Sequence, residues 1–273
     1  MLPAFLLSIR EGLEATLIVG IVLGAVRKIH KNEAIPVVWA GVWIAALLCL
    51  ASGLALDWLG ASLVGTTEVI FEGTTLLLAA GLLTWMIFWM RSQSRQLKSE
   101  LEIGVSKAAL NPGQRGLFLF AFIAVLREGI ELTLFLTAAA LTTNPWQVLA
   151  GAVLGLAVAA FLGWSLFASI ISLDLGRFFL ITSVLLILFA AGLVSRGVHE
   201  FNEIGWIPQI IDHIWNMNPL LDEQSYLGQV LGALFGYSGS PSLTEAMAYL
   251  GYFILVGIGL WISKAQLTHS QQS

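Results

Sequence analysis

Thiols are almost absent from this chain. Cys49 is the single cysteine in 273 residues, which excludes an internal disulfide and any multi-thiolate zinc or copper site. Inside an apolar run, a lone thiol reads as packing. Histidine is nearly as rare, with four residues. Two of these, His30 and His269, lie outside the apolar runs, and neither a His-rich metal motif nor a Ser-His-Asp pattern stands out. That argues against a metal-dependent or hydrolytic membrane enzyme. No nucleotide or nucleic-acid motif is present. Charge is scarce as well: 11% of residues are Asp, Glu, Lys or Arg, against roughly a quarter in soluble globular proteins.

What fills the chain is apolar. Hydrophobic residues make up 58%, and the mean hydropathy is +0.86. This is the composition of an integral membrane protein. Trp39, Trp43, Trp58, Trp89, Trp146 and Trp261 lie near the ends of apolar runs, where an aromatic belt would place them. The N-terminal run has no basic segment before it and is interrupted by Arg10 and Glu11, so it reads as a retained span rather than a cleavable signal.

A membrane-crossing helix needs about 20 mostly apolar residues. Seven segments qualify: 3–26, 35–57, 67–90, 116–141, 147–171, 177–199 and 244–263. Their lengths and periods fit helices and not the short alternating strands of a barrel. The expected fold is all-α. Basic residues set the orientation. Arg27, Lys28 and Lys31 follow the first span. Arg91, Arg95, Lys98, Lys107 and Arg115 lie between the third and fourth, Arg177 opens the sixth, and Lys264 follows the seventh. All fall on one side, so the chain is expected to be multi-pass in the plasma (inner) membrane, with the N-terminus outside and the C-terminus in the cytoplasm. Residues 200–243, rich in Trp, Pro, Gly and acids, read as an ordered outer cap. The run 227–237 within it is too short to span.

Three charges interrupt the first span in "REGLE" at 10–14, and the interruption recurs in "REGIE" at 127–131. Aligned on Arg10 and Arg127, 117 residues apart, Phe5 meets Phe122, Gly12 meets Gly129, Thr16 meets Thr133 and Leu17 meets Leu134. Three spans separate the copies, so the two run in opposite directions. The plan is an inverted repeat of three plus three helices, about 3–90 and 116–199, with a seventh helix extra, inside one membrane domain of 273 residues. Secondary transporters of this plan bind substrate near the midplane. Helical rise puts Glu11 and Glu14 roughly 12–17 Å below the outer face and Glu128 and Glu131 roughly 18–23 Å above the inner one, near the middle of a core about 30 Å thick.

Arg10 and Glu14 are spaced i,i+4, as are Arg127 and Glu131, so each pair can touch along its helix. Ion pairing alone does not explain the motifs. Two arginines against four glutamates leave two spare carboxylates, whose burial costs several kcal/mol unless something neutralises them. A bound cation or bound protons would do so. Glu11, Glu14, Glu128 and Glu131 are therefore candidate metal ligands, and Arg10 and Arg127 orient them, since a guanidinium repels a cation. Glu72, followed by Gly73 in the third span, echoes the motif's Glu-Gly pairs and joins the candidate ligands. Outer acids suit a capture site: Glu68, Glu200 and Glu203, with His199 at i,i+4 from Glu203, and the cap residues Asp222 and Glu223. An all-carboxylate site selects hard cations. The residues thus lead to a cation transporter with a midplane carboxylate site. The alternatives are carriage of another hard or divalent metal, a proton-coupled carrier without metal, and a sensor that only binds.

The two motifs resemble those of the iron permease family of oxidase-dependent iron transporters, and within it the bacterial EfeU-type members. The likeness extends through "FEG" at 71–73, "LTWMIFWMRSQSRQLKSELE" at 83–102, "FAAGL" at 189–193, "NEIG" at 202–205 and "FGYSGSPSLTE" at 235–245. The resemblance implies uptake of iron as Fe³⁺, made from Fe²⁺ outside the membrane by a partner oxidase or peroxidase, with a periplasmic iron-delivery protein. Iron would be cargo, with no tightly bound cofactor and no enzymatic activity. The family's motif glutamates fall on Glu11, Glu14, Glu128 and Glu131, its motif arginines on Arg10 and Arg127, and its third-span acid on Glu72. The second motif departs in carrying Ile130 for leucine.

Overall fold

The computed structural model describes residues 1–28, 30–93, 115–167, 175–211, 214–222 and 225–269. Glu223 and the basic residues Arg95, Lys98 and Lys107 lie outside the described residues. Among those described, seven long helices follow one another: α1 Leu2–Lys28, α2 Ile35–Ser62, α3 Thr66–Gln93, α4 Arg115–Thr142, α5 Pro145–Phe167, α6 Leu175–Glu203 and, after the short α7 at Tyr226–Phe235, α8 Leu243–His269. A 3₁₀ turn at Asn32–Ala34 leads into α2. Each long helix covers an apolar run of the sequence, because a run with no polar groups to solvate buries its backbone by bonding within itself.

Polar residues punctuate the runs. Asn144 accepts the Trp146 amide at 2.9 Å and places Pro145 at the first helical position of α5. Ser225 caps α7 by accepting the Gly228 amide, and Gly236 ends that helix in the left-handed conformation, φ 67°. Ser242 and Glu245 close the start of α8 reciprocally: the Glu245 amide donates to Ser242 Oγ at 3.2 Å, and the Ser242 amide donates to Glu245 Oε1 at 3.4 Å.

Among the described residues, five helices are long and apolar enough to cross a membrane: α2, α3, α5, α6 and α8. The other two long helices, α1 and α4, carry the motif charges. The outward face of α2 shows what surrounds the chain, for Trp43, Leu47, Leu50, Leu54 and Trp58 are all exposed. In water this would be a liability; in hydrocarbon it is the solvated face.

The chain divides into two compact units. The first comprises Met1–Leu59, Gln93–Ala140 and Asn144–Thr182, and so holds α1 and α5 whole, most of α2 and α4, and the start of α6. Its helices approach through glycines, as expected where lipid removes the hydrophobic drive for association and close packing replaces it. Along α1 and α5 the contacts run in step. A Cβ on Gly151 would strike the Met1 carbonyl and lie 3.2 Å from Ala4 Cβ. One on Gly155 would lie 2.7 Å from Ser8 Cβ, and one on Gly12 2.7 Å from Ala159 Cβ; one on Gly163 would collide with Thr16. The two helices are therefore parallel. The pairing of α2 with α4 is also parallel: Gly41 abuts Phe118, Ala121 and Phe122, Gly129 abuts Cys49, and Gly53 abuts Thr133. Val22, Val26, Val38, Leu117 and Ala121 close one end of this unit as a buried apolar cluster.

The second unit comprises Gly60–Ser92, Leu141–Thr143 and Ser183–Ser273. Here α6 packs on α3, with Gly197 against Leu77 and Gly73 against Phe201. Gly192 of the "FAAGL" run meets Gly236 of the "FGYSG" run so closely that neither position has room for a side chain. Between α6 and α8, backbone bonds among the described residues include Met217 N to Gly239 O at 2.7 Å and Ile214 N to Pro241 O at 3.1 Å.

Candidate functional site

Both motifs lie in the first unit, in the middle of α1 and α4. Arg10 and Glu11 are buried to within 1% of full enclosure, and Glu128 and Glu131 are buried as well. The helical spacing delivers the ion pairs it implies. Arg10 Nε lies 3.5 Å from Glu14 Oε1. Arg127 Nε donates to Glu131 Oε1 at 3.1 Å and lies 3.9 Å from Glu128 Oε1.

Tertiary structure adds what spacing cannot supply. Glu11, Glu128 and Glu131 each present a carboxylate oxygen within 4.8 Å of the others'. Both oxygens of Glu11 and Oε2 of Glu131 are buried with no hydrogen-bond partner among the described residues. Three buried acids facing one point, with acceptor atoms lacking donors, is a costly arrangement. A cation at that point would satisfy it. Glu14 is not part of this trio and stays with Arg10, 13% of its side chain exposed. Thr16 and Thr133 each donate a hydroxyl back to the motif glycine of their own helix, Thr16 to Gly12 O and Thr133 to Gly129 O.

The remaining candidates belong to the second unit. Glu72 is half-buried on α3, one turn past the exposed Glu68. It shares an electrostatic neighbourhood with Glu68, Arg196 and Glu203, and Glu200 shares one with Glu72, Glu203, His199 and Arg196. His199 is held from both sides: Nε2 lies 3.4 Å from Glu203 Oε1, and Nδ1 lies 3.1 Å from Glu245 Oε1. Glu245 is buried, accepts the Ser242 hydroxyl at 2.8 Å, and Ser242 accepts from Asn202 Nδ2 at 3.2 Å. This chain joins the end of α6 to the start of α8. Asp222 is exposed and supports the turn into α7 through its carbonyl, which accepts from Ser225 N and Oγ. Glu223 lies outside the described residues.

Sequence reasoning missed Glu245, Ser242 and Asn202. The Ser-x-x-Glu spacing at 242–245 signals a capping box, but nothing local signals that its glutamate also meets a histidine 46 residues away.

Residues 1–267 match the model of the family described as "Iron permease FTR1 family". The chain is 37% identical over 257 residues to the "Ferrous iron permease EfeU" of Escherichia coli O157:H7, covering 93% of each protein. It is equally similar to the protein of that name from Shigella sonnei (strain Ss046). With the Yersinia pestis protein of the same name it shares 35% identity, over 93% of this chain and 91% of the other. No solved structure matches.

Proposed function

The chain belongs to the iron permease FTR1 family, and from that premise we propose that it takes iron into the cell through the carboxylates that α1 and α4 bring together. It is a multi-pass membrane protein and a permease rather than an enzyme. The observation that carries the site is the buried trio Glu11, Glu128 and Glu131, in which both oxygens of Glu11 and Oε2 of Glu131 lack donors among the described residues. Oxygen ligands of full negative charge replace the water shell of a hard cation. Four glutamates against two arginines leave a charge that an iron ion neutralises in transit. Arg10 and Arg127 hold Glu14 and Glu131 in place.

The relatives carry the name of ferrous iron permeases. In our reading Fe²⁺ is the supplied form, a partner oxidase or peroxidase outside the membrane converts it, a periplasmic protein delivers it, and Fe³⁺ enters the carboxylate site. The acids at Glu68, Glu72, Glu200 and Glu203 raise the local cation concentration on the way in. Seven helices span the inner membrane, with the N-terminus outside and the C-terminus in the cytoplasm.

Packing supports an inverted repeat. Gly12 with Ala159 and Thr16 with Gly163 on α1 and α5 correspond to Gly129 with Cys49 and Thr133 with Gly53 on α4 and α2. Each α4 residue follows its α1 counterpart by 117 positions, and each α5 residue follows its α2 counterpart by 110.

The test is ⁵⁵Fe uptake by the purified chain in proteoliposomes, with iron presented as ascorbate-held Fe²⁺ or as an Fe³⁺ chelate. Glu11→Gln and Glu131→Gln should abolish uptake while the protein still inserts. Wild-type uptake by both variants would overturn the carboxylate site. Proton flux that persists without iron would favour a proton-coupled carrier.

A further inference from the structure

The motif glutamates are followed at the same interval by a threonine. Thr16 lies two residues after Glu14, and Thr133 two after Glu131. Each threonine does two things in the structure. Its hydroxyl donates to the carbonyl of the motif glycine four residues earlier, Gly12 or Gly129. Its methyl abuts a glycine on the parallel neighbouring helix, Gly163 for Thr16 and Gly53 for Thr133. The back-bond alone is not distinctive, since Thr84, Thr137 and Thr182 also donate four residues back. The combination of back-bond and glycine notch, made twice in matching positions, is.

The turn between glycine and threonine carries the second glutamate of each motif. In a regular helix the glycine carbonyl accepts only the amide four residues on. A hydroxyl sharing that carbonyl opens the turn and bends the helix slightly. The glycine notch fixes where along the neighbour this turn sits, because a threonine methyl cannot slide past a residue bearing a Cβ. Thr133 reaches further than its own helix: its hydroxyl lies 3.3 Å from the Cys49 carbonyl of α2, and Cys49 Sγ in turn lies 3.7 Å from the Leu126 carbonyl of α4. Glu131, two residues from Thr133, is the second glutamate that has joined the trio; Glu14 has not.

We propose that Thr16 and Thr133 are positioning residues for iron transport, their hydroxyls setting the pitch of the turn that carries the second motif glutamate, so that Thr133 keeps Glu131 in the trio and Thr16 keeps Glu14 on Arg10 beside it. The inference rests on the carboxylate site proposed above. Neither threonine touches the ion; each acts through the glutamate beside it.

Valine and serine separate this role from simple packing. Thr→Val keeps the branched shape and loses the hydroxyl, and Thr→Ser keeps the hydroxyl and loses the methyl. In proteoliposomes, Thr133→Val should lower the maximal rate of ⁵⁵Fe uptake about fivefold, the worth of one ordinary hydrogen bond, with KM for iron changing less than the rate. Thr16→Val should act in the same direction, and the double variant should multiply the two losses. Thr133→Ser should stay near the wild-type rate. The valine variants should melt close to wild type in detergent, because valine fills the notch. Glu11→Gln is run alongside. If it abolishes uptake while the valine variants transport at the wild-type rate, the positioning role is overturned and the carboxylate site stands. If Glu11→Gln itself transports normally, it is the site that falls. A serine variant as slow as its valine counterpart would also overturn the proposal, since it would assign the defect to the lost methyl.

Discussion

Two copies of one motif occupy unlike surroundings. Arg10 has none of its side chain exposed; Arg127 has 43% exposed. Leu13 is wholly enclosed, whereas Ile130, its counterpart in the second copy, is 51% exposed. The first copy is roofed by α5 and the start of α6, with Ile9, Leu13 and Ala159 packed against Phe5, Val158, Leu162 and Phe178. The second copy presents the stripe Leu119, Ile123, Arg127 and Ile130 outward. The i,i+4 ion pairs differ in length as well, 3.1 Å for the exposed arginine against 3.5 Å for the buried one. Identical spacing thus yields one copy whose arginine is locked in the interior and one whose arginine reaches the edge. The ion-pair geometry is local, and the enclosure is not.

The sharpest way to break this comparison is to remove each arginine. Arg10→Ala leaves Glu14 beside the buried trio with its positive partner gone, which should cost about 3–5 kcal/mol of stability. Arg127→Ala removes a partner that is itself partly exposed and should cost less than Arg10→Ala. Thermal melting in detergent and the yield of folded protein read this directly; equal losses would mean that the two copies are equivalent. A gentler pair of variants, Arg10→Lys and Arg127→Lys, keeps charge and loses the planar fork. Both should retain part of the iron uptake that the alanine variants lose.

Glycine substitutions probe the same contrast at smaller scale. A Cβ on Gly12 meets Ala159 Cβ at 2.7 Å, an atom fixed to backbone, so Gly12→Ala should cost about 1–3 kcal/mol through overpacking. On Gly129 the obstacle is the Cys49 thiol, which a single substitution can shorten. Gly129→Ala should therefore be partly rescued by Cys49→Ala, which installs the residue that α5 carries at position 159. Absence of rescue in the double variant would remove the Cys49 thiol as the obstacle.

The smallest effect should come from the second unit. Glu203, 54% of its side chain exposed, contributes through a field that salt screens. Glu203→Gln should raise the KM for iron more than it lowers the maximal rate, and the defect should shrink at high ionic strength. An unchanged KM at low salt would leave Glu203 only as a partner of His199.

Much of the fold was legible from apolar run length alone. The run 3–26 became Leu2–Lys28, 67–90 became Thr66–Gln93, and 244–263 became Leu243–His269. Hydrocarbon thickness dictates how long such a run must be, so the run carries its own boundary. The 177–199 run ended four residues short of the helix, because α6 continues past its apolar portion through His199, Glu200 and Glu203, charged residues that hydropathy discounts and helical propensity does not. Within the site, the pairing of Arg10 with Glu14 and of Arg127 with Glu131 was legible as well, since residues four apart on a helix are neighbours whatever surrounds them.

The sequence by itself determined the helices, their apolar faces and the contents of each motif, because these depend on groups a few residues apart. Tertiary structure alone decided that Glu131 joins Glu11 and Glu128 while Glu14 remains with Arg10, that Cys49 faces Gly129, and that Glu245 caps α8 and binds His199 at once. Those outcomes depend on which helices lie side by side and at what height. In lipid that choice follows from small residues permitting close approach, a property of paired surfaces that neither helix carries alone.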